Sequence, residues 1–192
     1  MASVLVPLAP GCEELEAVTI IDLLRRARIE VVTAGLQPGP VQASRGTVLV
    51  PDVSLDAALQ RDFDMLVLPG GQPGARNLEQ DPRIAALLRR MVQQHKYTAA
   101  ICAAPKVLAE AGLLDGKRAT AFPGAIDPAR YPRIRLEAQP VVTDGNVVTS
   151  RGPGTAMDFA LTLIELLVGA DTRNQVETAL ERPAHHRRAA QA

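Results

Sequence analysis

One cysteine of this chain lies where a reactive thiol would be expected, within the segment AAICAAP at residues 99–105. The apolar run before Cys102 is typical of a buried strand, and the alanine-rich run after it is typical of a helix. A sharp strand-to-helix turn exposes its central side chain, and the amides that begin the helix favour a thiolate. Cysteine is also among the most buried residue types, so a packed and unreactive thiol is an equally open interpretation.

Two further segments carry groups that would complete a thiol site. The segment LPGG ends an apolar run, and its glycines Gly70 and Gly71 leave backbone amides unobstructed, as an oxyanion hole requires. Glu16 belongs to an acidic helix start, and a carboxyl group beside a thiolate would be held in its protonated form. Each feature also has an ordinary explanation, because Pro-Gly-Gly ends strands and acids at a helix start oppose its dipole.

The positions of the other cysteine and of the histidines limit the reactions that the thiol could catalyse. Cys12 is either a resolving thiol for an oxidised Cys102 or a passive residue. His95 ends a helical segment, while His185 and His186 lie in a polar terminal stretch, so no histidine is placed to activate the thiol. Two distant cysteines match no metal-binding spacing. The pattern argues against an ordinary cysteine–histidine hydrolase, and we expect neither a metal nor another cofactor.

The composition excludes several classes of partner. The 21 basic residues equal the 21 acidic ones, whereas a nucleic-acid-binding surface shows a basic excess. No stretch approaches the ~18 uninterrupted apolar residues of a membrane span. The first residues lack the basic region of a signal peptide, and two widely spaced cysteines form no disulfide framework. We therefore expect a cytoplasmic protein with free thiols and with no specific nucleic-acid or membrane partner.

Apolar strands alternate with helical segments, which predicts a mostly parallel sheet covered on both faces. The expected strands are 3–9, 28–36, 64–68, 97–101, 118–122 and a hairpin over 140–150, with a second hairpin over 41–51. The expected helices are 12–27, 82–95, 103–114 and 154–169. We expect one domain over 1–180 and a flexible tail over 181–192. Because ligands bind beyond the carboxyl ends of parallel strands, the segments containing Glu16, Gly70 and Cys102 are expected to meet.

Taken together, the segments APGCEELEA, ASRG, LPGG, AAICAAP and TSRGPGTAMDFAL resemble the ThiJ/PfpI superfamily. The resemblance extends from Val4 to about Leu180, with the motifs in the family's order. It is closest to the branch that contains the human parkinsonism-associated deglycase and the bacterial chaperone YajL. It implies a flavodoxin-like three-layer α/β sandwich with a nucleophile elbow, and it implies a homodimer.

The resemblance also assigns roles to individual positions. Cys102 matches the family's nucleophile, which is readily oxidised to a sulfinate, and Glu16 matches the protonated acid that bonds to it. Gly71 and Ala103 match positions whose amides form a small anion pocket, beside Gly70. These roles require no added cofactor.

Two basic residues match the family's pattern, and two other positions depart from it. Arg45 and Arg151 match basic residues near the anion pocket. Phe122 stands where the human protein has a histidine, so Glu16 would have to serve as both acid and base. Ala103 stands where the PfpI-type peptidases have a histidine, so peptidase activity is not expected.

Two functions fit these residues, and the sequence does not choose between them. In the first, the Cys102 thiolate attacks a small reactive carbonyl or a glycated protein, and Glu16 moves the proton, as in a glutathione-independent glyoxalase or protein deglycase. In the second, oxidation of Cys102 makes the protein a redox sensor or a redox-regulated chaperone of oxidised proteins. Both functions predict a Cys102 pKa well below the ordinary ~8.5.

Overall fold

Strands and helices alternate along residues 1–183, the part of the chain that the computed structural model describes. The strands are β1 (Ser3–Leu8), β2 (Glu30–Gly35), β3 (Val41–Gln42), β4 (Val48–Leu49), β5 (Val53–Ser54), β6 (Met65–Leu68), β7 (Tyr97–Ile101), β8 (Arg118–Ala119), β9 (Arg135–Leu136), β10 (Val141–Asp144) and β11 (Val147–Ser150). The helices are α1 (Glu14–Arg26), α2 (Leu55–Ala58), α3 (Gln72–Gln80), α4 (Pro82–Gln93), α5 (Pro105–Glu110), α6 (Ala156–Val168) and α7 (Ala170–Ala179).

The main sheet brings the predicted chemical segments to one edge. Its seven strands run in the order β10-β11-β7-β6-β1-β2-β5, and only the β10–β11 pair is antiparallel. The parallel core β2-β1-β6-β7-β11 has the flavodoxin-like order, which confirms the predicted fold class. Since β1, β6, β7 and β11 are consecutive neighbours, their four carboxyl ends lie side by side, as the sequence suggested.

Helices cover both faces of this sheet. Helices α1, α6 and α7 pack together in one layer, and α3, α4 and α5 form the other. The central strands are apolar without alternation because neither face meets solvent, and Val6, Val67 and Ala100 are fully buried. The two predicted hairpins are present as β3–β4 and β10–β11. The strand expected at 118–122 is shorter, and β8 pairs with β9 outside the main sheet.

Helix α1 begins with a side-chain cap that fixes its first turn. The Glu13 carboxylate accepts a hydrogen bond from the Glu16 amide at 2.8 Å, while Arg25 and Arg26 occupy the last turn, where cations favour the helix dipole. The Glu13 amide in turn donates to the Gly70 carbonyl oxygen at 2.9 Å. This pair of contacts fastens the acidic end of α1 to the segment that follows β6.

Helix α3 has no counterpart among the predicted helices. Its sequence QPGARNLEQ is polar and contains Gly74, which disfavours a helix in isolation. In the fold that glycine lets α3 approach the loop after β1, since a Cβ at position 74 would lie 2.6 Å from the Cys12 Cα. Tertiary packing therefore explains both the helix and the glycine within it.

The carboxyl-terminal part of the described chain is held by buried charges. Glu177 of α7 pairs with Arg173 at 2.6 Å and with Arg182 at 3.2 Å, and all three side chains are buried. Arg182 also pairs with Asp158 of α6 at 2.8 Å. Arg182 of the predicted tail therefore packs on the domain, and residues 184–192 lie outside the described residues. No helix in the described part is long and apolar enough to cross a membrane.

Candidate active site

Cys102 occupies a sharp elbow between β7 and α5. Its backbone is left-handed, with φ of 64°, and its side chain is 8% exposed. The Cys102 amide donates to the Ser150 carbonyl oxygen at 2.9 Å, and its carbonyl oxygen accepts from the Phe122 amide at 2.8 Å. Two neighbouring segments therefore hold the elbow in a conformation that a non-glycine residue rarely adopts. The predicted turn is present, and the thiol lies at its tip.

Glu16 lies beside this thiol with its carboxyl group fully buried. Its Oε2 accepts a hydrogen bond from the Gly70 amide at 2.8 Å, whereas its Oε1 has no oxygen or nitrogen partner in the described structure. The carboxyl group and the Cys102 thiol are close enough to interact directly. A buried carboxyl oxygen without a hydrogen-bond partner, on a side chain that lies beside a thiol, is what a protonated carboxyl group would show.

Burial controls the protonation of Glu16. Loss of solvation raises the pKa of this carboxyl group to about 7, and the nearby Glu13 carboxylate acts in the same direction. The Gly70 amide and the Cys102 thiol oppose the rise by bonding to the ionised form. Glu16 therefore exchanges its proton close to neutral pH, as a group that serves as both acid and base should.

The thiol departs from its expected ionisation. Burial raises the pKa of Cys102 to about 12, and the negative charge of an ionised Glu16 adds to the rise, opposite to the lowered pKa predicted from the elbow. A protonated Glu16 removes that repulsion and offers a hydrogen bond to sulfur. Of the two groups, Glu16 loses its proton first, so above about pH 7 the proton of the pair lies on sulfur, and a thiolate forms when that proton passes to Glu16.

Two backbone amides stabilise the thiolate. The amides of Gly71 and Ala103 bond to it and lower the pKa of Cys102, against the larger effect of burial. Gly71 has φ of 84°, and a Cβ there would collide with the Gly11 carbonyl oxygen, so the loop requires glycine. These are the two amides that the resemblance to the family suggested.

We expect Gly70→Ala to separate the thiol from its acid. The added Cβ would lie 2.6 Å from both the Cys102 Cβ and the Glu16 Oε2, so one of the two groups must move. Overpacking of this kind lowers the free energy of unfolding by about 2 kcal/mol. The reaction of Cys102 with iodoacetamide should change in its pH dependence, and a pH profile identical to that of the wild type would contradict the contact. Gly39→Ala, where an added Cβ meets nothing within 4 Å, would show the effect of a glycine replacement at an exposed turn.

Glu16 also makes stability depend on pH in a defined direction. Between its ordinary pKa of 4.5 and the folded value of about 7, the folded chain holds a proton that the unfolded chain has lost. The contribution is fully present below pH 4.5 and is lost as pH rises to about 7, on the order of 3 kcal/mol. Urea unfolding from pH 5 to 8 should therefore give a flatter curve for Glu16→Gln than for the wild type. Parallel curves would contradict the raised pKa.

The two arginines suggested by the resemblance lie on segments that border the site. Arg45 is exposed on the β3–β4 turn, where its amide donates to the Glu14 carboxylate at 2.9 Å. Arg151 follows Ser150, whose carbonyl oxygen holds the Cys102 amide, and it is half-buried. Neither guanidinium has an ion-pair partner among the described residues. Both cations remain free to attract an anionic group to this edge of the sheet.

Cys12 is buried in the loop between β1 and α1. Its carbonyl oxygen accepts the Ser44 amide at 2.8 Å, and Gly74 packs directly against its Cα. Burial raises the pKa of this thiol to about 11, and the Glu14 carboxylate adds to the rise. A fully buried and protonated thiol is poorly suited to resolve an oxidised Cys102.

Among the described residues, no imidazole lies at this edge of the sheet. His95 lies two residues before β7, at the end of the strand opposite to Cys102, and His185 and His186 lie outside the described residues. The described part of the chain also contains no cluster of histidine, cysteine and carboxylate side chains suited to a metal ion. Glu16 is therefore the titratable group placed to transfer a proton at the thiol.

This constellation can be compared with known proteins. Residues 2–166 match the model of the DJ-1/PfpI family, which is the superfamily that the motifs resembled. The chain belongs to the DJ-1/PfpI family. The DJ-1/PfpI match covers the elbow, the acidic turn and the glycine loop alike, and it confirms the recognition made from the sequence.

Individual DJ-1/PfpI proteins are similar over nearly the whole chain. The Parkinson disease protein 7 homolog of Danio rerio is 43% identical over 184 residues, which cover 92% of this chain and 95% of that protein. The glutathione-independent glyoxalase DJR-1.2 of Caenorhabditis elegans is 35% identical over 175 residues, covering 91% and 93%. The crystal structure of Drosophila melanogaster DJ-1beta superposes with a TM-score of 0.89 at 41% identity, covering 93% of this chain and 97% of that one.

Two positioning groups escaped the sequence reasoning. Glu13 is one of the acids at the start of α1, which the sequence explained by the helix dipole alone, yet it caps α1 at Glu16 and its amide bonds the Gly70 carbonyl oxygen. Ser150 holds the amide of Cys102 through its backbone, which no side-chain pattern could reveal. The spacing of Glu13 and Glu16, three residues apart at a helix start, was the available signal for the first.

Proposed function

We propose that this protein converts reactive 2-oxoaldehydes such as methylglyoxal to 2-hydroxy acids without glutathione. The observation that carries the proposal is the buried Glu16, whose pKa near 7 and contact with Cys102 join an acid–base group to a nucleophile. The name of the Caenorhabditis elegans relative, a glutathione-independent glyoxalase, supports the same reaction class.

The reaction can be written with these groups alone. The Cys102 thiolate attacks the aldehyde carbon, a C–S bond forms, and the amides of Gly71 and Ala103 stabilise the alkoxide, which then takes the proton that Glu16 received from the thiol. Glu16 in its carboxylate form removes the hydrogen on that carbon, and the resulting enediol is reprotonated at the neighbouring carbon. The aldehyde carbon is thereby oxidised and the ketone carbon reduced, which leaves a 2-hydroxyacyl thioester. Water hydrolyses the thioester, so methylglyoxal and water give lactate and the free thiol.

Lactate production tests the proposal directly. Purified protein given methylglyoxal without glutathione is expected to release lactate with repeated turnover, and Cys102→Ala is expected to release none above the uncatalysed background. A wild-type rate equal to that of Cys102→Ala would refute the enzymatic function. Because Ala103 supplies no histidine beside the nucleophile, casein or peptide cleavage is not expected in the same preparation.

The same chemistry extends to adducts on proteins. Methylglyoxal bound reversibly to a protein thiol or amine presents the same oxidation state at carbon, so a deglycase would use the same Cys102 and Glu16. We place this activity in the cytoplasm, where reactive carbonyls arise and thiols stay reduced. Release of lactate from pre-formed protein adducts, measured after free methylglyoxal has been removed, separates the two substrates.

A redox sensor or redox-regulated chaperone is the second candidate, and the unpartnered Oε1 of Glu16 favours it. A protonated carboxyl group there could donate to an oxygen added to the Cys102 sulfur, while the pocket amides bind the same anion. Mild peroxide should then oxidise Cys102 before Cys12, as measured by mass spectrometry of proteolytic peptides that contain each cysteine. Oxidation of Cys12 first would exclude this function.

We further propose that the protein is a homodimer, with a second copy covering an apolar face beside the site. Leu15 and Val18 of α1 are about half exposed, and Val48 and Val50 of the β3–β4 hairpin are more so. The hairpin turn is bound to α1 through Glu14, so these side chains belong to neighbouring elements. Sedimentation should give a dimer mass for the wild type and a monomer mass for Val50→Asp, and a wild-type monomer would contradict the proposal.

A further inference from the structure

Phe122 is an exposed aromatic residue attached directly to the nucleophile's backbone. The other two phenylalanines of the chain, Phe63 and Phe159, are buried, whereas the Phe122 side chain is 50% exposed. Its amide donates to the Cys102 carbonyl oxygen at 2.8 Å, which fixes its backbone beside the elbow. An exposed phenyl ring contributes little to the fold, so this one is free to contact a ligand.

The ring rests against a glycine that follows β11. A Cβ built on Gly152 would lie 3.4 Å from the Cδ2 atom of Phe122 and 4.0 Å from its Cε2 atom, so one edge of the ring lies beside Gly152. Gly152 itself is buried, although Phe122 is half exposed. The exposed part of the ring is available to a bound molecule.

The strand order places this ring on the side of the thiol that is opposite to the acid. Strand β7 lies between β6 and β11, and Gly70 with Glu16 occupies the β6 side of Cys102. Ser150, the last residue of β11, holds the Cys102 amide on the other side. Gly152, which lies beside Phe122, follows two residues later. A carbonyl compound on sulfur that gives its oxygen to the pocket amides and its proton to Glu16 must extend its substituent away from them. The side with the exposed ring is the one left for it.

We propose that Phe122 determines which carbonyl the site prefers, so that 2-oxoaldehydes with an aromatic or bulky apolar substituent react more efficiently than methylglyoxal. The proposal rests on the proposed function for its reaction and adds the substrate class. A methyl group reaches little of the ring, whereas a phenyl group stacks against it. Phe122 acts on the substituent and takes no part in the bond-making steps at sulfur.

Two aldehydes that differ only in the substituent test this assignment. The ratio of kcat/KM for phenylglyoxal to that for methylglyoxal is expected to fall about fivefold in Phe122→Ala. The value for methylglyoxal should change less than the value for phenylglyoxal, because a methyl group reaches little of the ring. Val92→Ala is the matched control, since Val92 is similarly exposed at the end of α4, on another part of the surface. Thermal unfolding of each variant verifies that the fold is retained, and an unchanged ratio in Phe122→Ala would overturn the proposal.

A second readout does not depend on turnover. Phenacyl bromide and bromoacetone alkylate a thiolate by displacing bromide, and they carry the same phenyl and methyl substituents. The ratio of their second-order rate constants at Cys102 should also fall about fivefold in Phe122→Ala. If neither aldehyde is turned over above the Cys102→Ala background, the proposed function fails, and the alkylation ratio still decides the role of Phe122. An alkylation ratio equal to that of the wild type would refute it.

Discussion

Replacing Glu16 by glutamine is expected to lower the turnover of methylglyoxal by about 100- to 10,000-fold. Glutamine has nearly the same shape, and its carbonyl oxygen can still accept the Gly70 amide that Oε2 accepts at 2.8 Å. It cannot take a proton from carbon, however, and no imidazole among the described residues can replace it. The loss should be in kcat, because the thioester-forming step needs the proton transfer after the aldehyde has bound.

The measurement is the steady-state rate of lactate release by the two proteins. Asp22→Asn is a matched control, since this acid lies exposed on the same helix and pairs with Arg26 at its surface. Alkylation of Cys102 by iodoacetamide should persist in Glu16→Gln, which separates a lost proton carrier from a lost nucleophile. A turnover number for Glu16→Gln within threefold of the wild type would show that another group moves the proton.

Replacing Glu177 by glutamine is expected to lower the free energy of unfolding by about 3 kcal/mol. The Glu177 carboxylate lies between two buried guanidinium groups, with Arg173 at 2.6 Å and Arg182 at 3.2 Å. Without this charge, both cations stay buried and lose a shared partner, although Asp158 continues to bind Arg182. The large expected effect comes from burial, because a salt bridge in water contributes far less.

An exposed pair of the same spacing provides the comparison. Asp22 and Arg26 are also four residues apart on a helix, at 2.7 Å, with both side chains about half exposed. Asp22→Asn should therefore change the free energy of unfolding by less than about 1 kcal/mol. Urea unfolding at fixed pH measures both variants. A loss below about 1 kcal/mol for Glu177→Gln would mean that water reaches this cluster.

The sequence predicted the fold best where a residue pattern is compatible with few structures. Continuous apolar strands predicted a doubly covered parallel sheet, and the strand ends with Glu16, Gly70 and Cys102 do meet at one edge. Short motifs in a fixed order identified the family. The strand order itself was not readable, since β6 enters between β1 and β7 through contacts remote in sequence.

Elements fastened by buried polar groups were the ones that pattern reasoning missed. Helix α7 is not among the expected helices because its sequence is polar, yet Arg173 and Glu177 are buried in it. Helix α3 is not among them either, and its Gly74 lies against Cys12. In both cases the deciding contact lies on another element, and hydrophobic periodicity carries no information about it.

The ionisation of Cys102 shows a different limit. A helix start and nearby amides predicted a low thiol pKa, and both amides are present. The residue pattern could not state how deeply the sulfur is buried, and only the resemblance to the family implied that its acid lies within direct contact. Those two facts make the thiol and Glu16 a coupled pair, so the useful quantity is the protonation of the pair.

The left-handed backbone at Cys102 places the reactive thiol at the tip of the elbow but lowers the stability of the fold. For any residue with a Cβ this conformation is less favourable by on the order of 1–2 kcal/mol, and glycine alone would relieve it. The backbone conformation at this position is therefore most stable with glycine, which has no side chain. A glycine here would give a more stable protein that lacks the nucleophile. Selection for stability alone would therefore remove the sulfur atom that attacks the substrate.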